Sequence, residues 1–136
     1  MTRITAIRPA GEDHQVVTVE GGQGSYRRQP CSDCPWRVDA VGEFPAEAFR
    51  HSAPTAYDMA DGEFACHQSS INKPATCAGF LLRGARHNLA TRLKVMAGKI
   101  ELARVSDGGV DLFENYRTMA EANGVEADDP VLERCR

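Results

Sequence analysis

The chain is 136 residues long, 42% hydrophobic and 26% charged, proportions of one folded domain and not of a disordered or fibrous chain. Its longest apolar run, Ala78 to Leu82, falls far short of the ~20 residues of a membrane span, and Met1 to Pro9 lacks the apolar core of a secretory signal, so a cytoplasmic protein with no membrane contact is expected. A net charge of −3 is not that of a strongly basic nucleic-acid binder.

In chain order, Arg3 to Arg8 alternates apolar and polar residues and reads as a short strand. Gln15 to Val19 is rich in β-branched residues and reads as another. Gly21 to Gly24 supplies turn residues, and Ser25 to Arg28 is expected to return as the second arm of a hairpin. Phe44 to Arg50 has the pattern of a short helix with Pro45 in its first turn. Residues 51–62 read mostly as loop, Glu63 to Cys66 as a short strand, and Ser69 to Thr76 as loop again. The spacing of Leu89, Leu93, Met96, Ile100 and Ala103 predicts a long helix over 86–104 with one apolar, core-facing stripe. Asp111 is expected to cap a helix over 112–122, with Leu112, Phe113, Tyr116 and Met119 inward and Asn123-Gly124 at its end. Asp129-Pro130 then starts a last short helix. The expected fold is a single α+β domain: a β-hairpin over 1–29, a cysteine region over 30–80 clipped by a metal, and a helical part over 86–136.

Charge is unevenly spread. Residues 83–104 carry six basic and one acidic side chain, whereas residues 105–136 carry three basic and eight acidic. The basic residues of the expected long helix flank its apolar stripe, where long side chains cover apolar surface with their stems. A nucleic-acid contact through 83–104 is therefore the less favoured reading.

The chemistry concentrates in the cysteines. Cys31 and Cys34 form a Cys-x2-Cys turn between Pro30 and Pro35; Cys66 and Cys77 follow, and Cys135 stands near the C-terminus. Without a secretory signal, such cysteines point to metal or redox chemistry and not to disulfides. A Cys-x2-Cys turn sets two sulfurs on one side of a tight loop, and Cys66 and Cys77 complete a four-thiolate set. Four thiolates suit zinc in a closed structural site or a [4Fe–4S] cluster. Zinc is placed narrowly ahead, because His67 offers a nitrogen ligand beside Cys66; a site of Cys31, Cys34, His67 and Cys77 is the alternative set. Cys135 reads as a free thiol on a tail. Trp36, Phe64 and Phe80 each lie within three residues of a cysteine, where they can pack around the site. Arg37 can donate to a sulfur or pair with Asp33 or Asp39.

At these residues a resemblance appears. Pro30-Cys31-Ser32-Asp33-Cys34-Pro35-Trp36-Arg37, then Phe64-Ala65-Cys66-His67, then Cys77-Ala78-Gly79, resembles a family of small uncharacterised proteins met in phage, prophage and bacterial genomes. The resemblance covers residues 30–80. It implies a metal-type cysteine site and a phage origin, with no activity attached.

No phosphate loop or dinucleotide fingerprint is present. The zinc deaminase signature fails for want of a His-x-Glu before Pro30-Cys31, since His14 is followed by Gln15 and Val16. The expectation is a non-enzymatic metal-binding protein that acts on a protein partner, such as a host factor. Two alternatives stand beside it. One is a redox-responsive iron–sulfur regulator contacting nucleic acid or the transcription machinery; the other is a thiol oxidoreductase using Cys31 and Cys34.

Overall fold

The computed structural model describes the backbone of residues 2–9 and 15–21, and residues 25–66, 69 and 74–135 in full. Strands β1 (Thr2–Pro9) and β2 (Gln15–Gly21) pair antiparallel, from Thr2 opposite Gly21 to Pro9 opposite Gln15, with one irregularity between Ile4 and Ala6. The expected hairpin of 15–19 with 25–28 is thus corrected: β2 takes its partner from upstream. Tyr26 instead meets Thr76 in an isolated parallel bridge, through Thr76 N–H to Ser25 C=O at 3.0 Å and Arg27 N–H to Thr76 C=O at 2.9 Å.

The α+β expectation is corrected with it. From residue 25 onward no strand occurs among the described residues, and extended segments meet only in isolated bridges. That body is built from four short helices and loops: α1 (Ala46–Ser52), α2 (Ala78–Arg83), α3 (Leu89–Met96) and α4 (Tyr116–Ala122). Short 3-10 turns lie at Val38–Ala40, Ala53–Ala56, Leu102–Arg104 and Pro130–Leu132. No described helix is long and apolar enough to cross a membrane.

The long helix expected over 86–104 is only the eight residues of α3, and both ends have a physical cause. Asn88 is buried and locked in place: its side-chain N–H2 donates to Thr55 C=O and Gly62 C=O, while its Oδ1 accepts from Thr91 N–H at 3.0 Å. It therefore caps the helix, and Arg86 and His87 stay in a turn closed by Asn88 N–H to Ala85 C=O. At the other end Gly98 has φ +77°, Lys99 N–H reaches Lys94 C=O and Gly98 N–H reaches Val95 C=O. This is the paired-hydrogen-bond ending that a left-handed glycine allows.

Similarly, α4 begins at Tyr116 because Asn115 and Thr118 form a reciprocal capping box. Residues 111–113 run extended beside the cysteine loop, through Val38 N–H to Asp111 C=O and Phe113 N–H to Trp36 C=O. Asn123 and Gly124, with φ +101°, end α4. Asp129 caps the last 3-10 turn, with Pro130 at its first position.

The core gathers around Trp36, which has no solvent exposure. Its ring meets Phe64 and Tyr116 edge-on, at centroid distances of 5.9 and 5.8 Å, and lies tilted to Phe80 at 6.5 Å. Phe49, Met119, Leu132 and Ile100 fill the surrounding space. Cys135 is not on a loose tail. It is buried, with its sulfur 3.7 Å from Ala53 C=O.

Burial pushes the Cys135 thiol up from 9.0 to about 11, with Arg117 only partly opposing. The folded chain thus favours the neutral thiol. The associated stability is fully present below about pH 9 and is lost as pH rises from about 9 to about 11, at a slope of at most about 1.4 kcal/mol per pH unit. Urea unfolding of wild type and Cys135→Ala across this window is expected to show the steeper decline in wild type.

Candidate metal centre

Two loops carry the four cysteines. In the first, Cys34 N–H donates to Cys31 C=O and Arg37 N–H to Cys34 C=O, each at 3.1 Å, so Cys-Ser-Asp-Cys folds into a tight turn. The turn presents peptide donors to its own sulfurs: Asp33 N–H to Cys31 and Trp36 N–H to Cys34. Such donors favour a thiolate over a thiol.

In the second loop, Cys66 N–H donates to Ala75 C=O at 2.7 Å and Cys77 N–H to Phe64 C=O at 2.8 Å. Ala65 faces Thr76 in an antiparallel bridge. These bonds fold the chain back on itself, with Cys66 opposite Ala75 at one end of the short pair and Cys77 opposite Phe64 at the other. Cys77 then stands at the start of α2.

The sulfurs of the two loops meet. Cys34 Sγ lies 3.6 Å from Cys77 Sγ, and Cys31 engages both Cys34 and Cys66. The contacts form a series, Cys66 to Cys31 to Cys34 to Cys77. Among the described residues no set of three or more Cys, His, Asp or Glu side chains is arranged to hold a metal ion, so the thiols stand as linked pairs. All five cysteines are free. His67, the alternative ligand, lies outside the described residues.

Crowding acts on the protons. The hydrogen bond with Cys31 pulls the Cys34 thiol down, but the hydrogen bond with Cys77 and burial outweigh it and push Cys34 up to about 12. The Cys31 thiol is also raised, first by Cys34 and then by burial, against the lowering contact with Cys66. A thiol–disulfide exchange site wants the opposite, a depressed thiol pKa.

The aromatic and charged neighbours fall into place around these sulfurs. Trp36, Phe64 and Phe80 are buried in contact with one another and share the hydrophobic core with Cys34 and Cys77. Arg37 pairs with Asp39 through two hydrogen bonds of 2.8 and 2.7 Å, and its charge also faces Cys34 and Cys31. Sequence reasoning placed Tyr116 inward but missed Glu63. Tyr116 packs on Trp36 and donates to Phe49 C=O. Glu63, one residue before Phe64, is a buried carboxylate that accepts from Thr76 Oγ1 at 3.3 Å, Thr91 Oγ1 at 3.0 Å and Lys94 Nζ at 2.5 Å. Only its place inside the Glu63-Phe-Ala-Cys66 run hinted that it would be enclosed.

Two glycines of the α2 segment let its backbone lie on the Trp36 side chain. A Cβ at Gly79 would stand 2.5 Å from Trp36 Cβ and 3.1 Å from Cys34 Sγ, and one at Gly84 would stand 2.4 Å from Trp36 Cη2. The backbone thus packs directly against the indole side chain at both ends. Gly79→Ala is expected to destabilise the chain by about 3 kcal/mol in urea unfolding, at or above the upper end of ordinary overpacking, although alanine is the better helix former by about 1 kcal/mol. Gly42→Ala, where the new Cβ has open space and only φ +90° opposes it, is expected to cost about 1–2 kcal/mol.

Residues 26–136 match the family of unknown function DUF6283. No curated protein and no solved structure matches the chain.

Proposed function

Since the chain belongs to a family of unknown function, DUF6283, we propose from its own residues that it is a metal-binding domain whose metal is structural and whose surface acts by binding a protein partner. Cys31, Cys34, Cys66 and Cys77 would hold the ion, with His67 as the alternative third ligand. The observation that carries this reading is the sulfur contact between two separate loops, with the Cys34 and Cys77 sulfurs 3.6 Å apart.

That distance also bears on which metal. Four sulfurs at ~2.3 Å from one zinc are about 3.8 Å from each other. In a [4Fe–4S] cluster each thiolate ends on a different iron, so the sulfurs stand roughly 6 Å apart. The pair therefore favours zinc. The bound ion would replace four protons with one dication, relieving the crowding that raises Cys31 and Cys34. It would also tie together two loops that carry little regular structure, and supply folding free energy there. Thiols kept reduced for this purpose suit the cytoplasm.

Anaerobic purification followed by elemental analysis and an absorption spectrum tests the reading. The expected sample is colourless with one zinc per chain. A brown protein with a band near ~400 nm and about four irons per chain would replace zinc by a cluster and restore the iron–sulfur regulator. A folded chain with neither metal would overturn the proposal.

A further inference from the structure

Helix α3 is reversed in polarity relative to the body it packs on. Thr91 and Lys94 face inward to the buried Glu63 carboxylate. Leu93 is 54% exposed and Met96 82% exposed. At ~100° per residue Arg92, Met96, Leu89 and Leu93 share one side; of the apolar stripe expected to face the core, Leu93 and Met96 point at solvent, Leu89 is partly covered and Ile100 alone is buried. A buried carboxylate beneath the helix and exposed large apolar side chains on its outer side are both departures from the usual sorting of side chains.

The rim of this stripe is cationic. Of the six basic residues in 83–104, Lys94 is taken up by Glu63 and Arg104 by Glu101, the segment's single acid. Arg83, Arg86, Arg92 and Lys99 remain exposed. At the helix start Met59 N–H donates to His87 C=O at 2.8 Å. Met59 is 58% exposed with φ +62°, a conformation costly for a residue with a side chain. Asp58 lies at that end, 3.6 Å from His87 Nδ1. The exposed cations nearest in the chain to Leu93 and Met96 are Arg92 and Lys99.

We propose that the outer face of α3 docks an acidic, apolar protein segment, with large apolar side chains seated on Leu93 and Met96 and carboxylates meeting Arg92 and Lys99. The charge of the rim selects the sign of the partner, and the apolar centre selects its class. Nucleic acid would use the arginines and leave Leu93 and Met96 without a role. An anionic membrane wants a longer helix with aromatic anchors; α3 has eight residues, is tied inward through Thr91 and Lys94, and has no large exposed aromatic beside it among the described residues. Methionine and arginine are both favoured at interface centres. The inference rests on the reading of the chain as a partner-binding domain and is independent of which metal it holds.

The test selects peptides from a random displayed library on the purified full chain, with a Leu93→Ser/Met96→Ser variant as counter-target. Selected peptides are expected to be net negative with two or more large apolar residues. They are expected to bind the double variant, and separately Arg92→Glu/Lys99→Glu, at least about tenfold more weakly, the equivalent of 1.4 kcal/mol. The thermal midpoint should not move, because the replaced side chains are exposed. Binders of neutral or positive charge, or none that separates wild type from the variants, would overturn the proposal. So would a wild-type dimer that the double serine variant turns into a monomer, or phosphatidylserine vesicles that bind wild type and not the variant. Elemental analysis of the same sample separates the two failures: with metal present, a failed selection counts against this surface alone, and with metal absent the metal-domain reading falls on its own evidence.

Discussion

A Cys77→Ser chain is expected to purify without metal and to unfold cooperatively at far lower urea than wild type, or to be unfolded from the start. Cys77 closes the series of sulfur contacts on Cys34, and its backbone N–H holds Phe64 C=O. The free energy at stake is that of the ion. Structural zinc contributes about 10–16 kcal/mol in small peptides near neutral pH, more than the ~5–15 kcal/mol net stability of a whole domain. Cys66→Ser is expected to behave alike. Cys135→Ser should keep the full metal content, since that thiol contacts Ala53 and Val131 and none of the four. A dithiol enzyme built on Cys31 and Cys34 would instead tolerate loss of Cys66 and Cys77 together. Metal content and urea midpoints of the three variants decide between the two outcomes.

The second large effect is expected at Glu63. Glu63→Ala leaves the Lys94 ammonium enclosed without its counter-ion, and the Thr76 and Thr91 hydroxyls without their acceptor. Breaking one partner of a buried pair costs about 3–5 kcal/mol. The double replacement Glu63→Leu/Lys94→Met removes both charges and is expected to recover most of that loss, because desolvation of the ions disappears with them. If Glu63→Ala cost less than about 1 kcal/mol, the network would not be what holds α3 in its orientation.

That orientation marks where the sequence was legible and where it was not. Caps and stops could be read directly: Asn123-Gly124 and Asp129-Pro130 act as their local chemistry dictates. The stretch 86–104 misled because periodicity measures only how apolar residues are spaced. A single buried carboxylate, forty positions before Ala103, demanded three donors, and Thr76, Thr91 and Lys94 supplied them at the expense of burying Leu93 and Met96. The hairpin misled for a similar reason. Ser25 to Arg28 has strand character, but its backbone hydrogen bonds go to Thr76 and Ser106, partners that local pattern cannot name. Spacing did single out Cys31, Cys34, Cys66 and Cys77; the structure links them in pairs, and among the described residues no three of them are arranged to hold an ion. How tightly they close, and on what, lay beyond reach of spacing, since the turn, the Ala65–Thr76 bridge and the Trp36 wedge jointly set the sulfur positions.

Trp36 is the sole tryptophan of the chain, and it sits one residue beyond the Pro35 that follows Cys34, pinned by Gly79 and Gly84 and sealed from water. The molecule thereby carries its own unlabelled optical gauge. Indole emission lies to the blue in a dry aromatic nest and moves to the red on contact with water. Opening of the cysteine loops would register as a wavelength shift in this one residue, and so would loss of α1 packing, since Phe49 of α1 shares its core, whereas the β1–β2 pair holds no tryptophan.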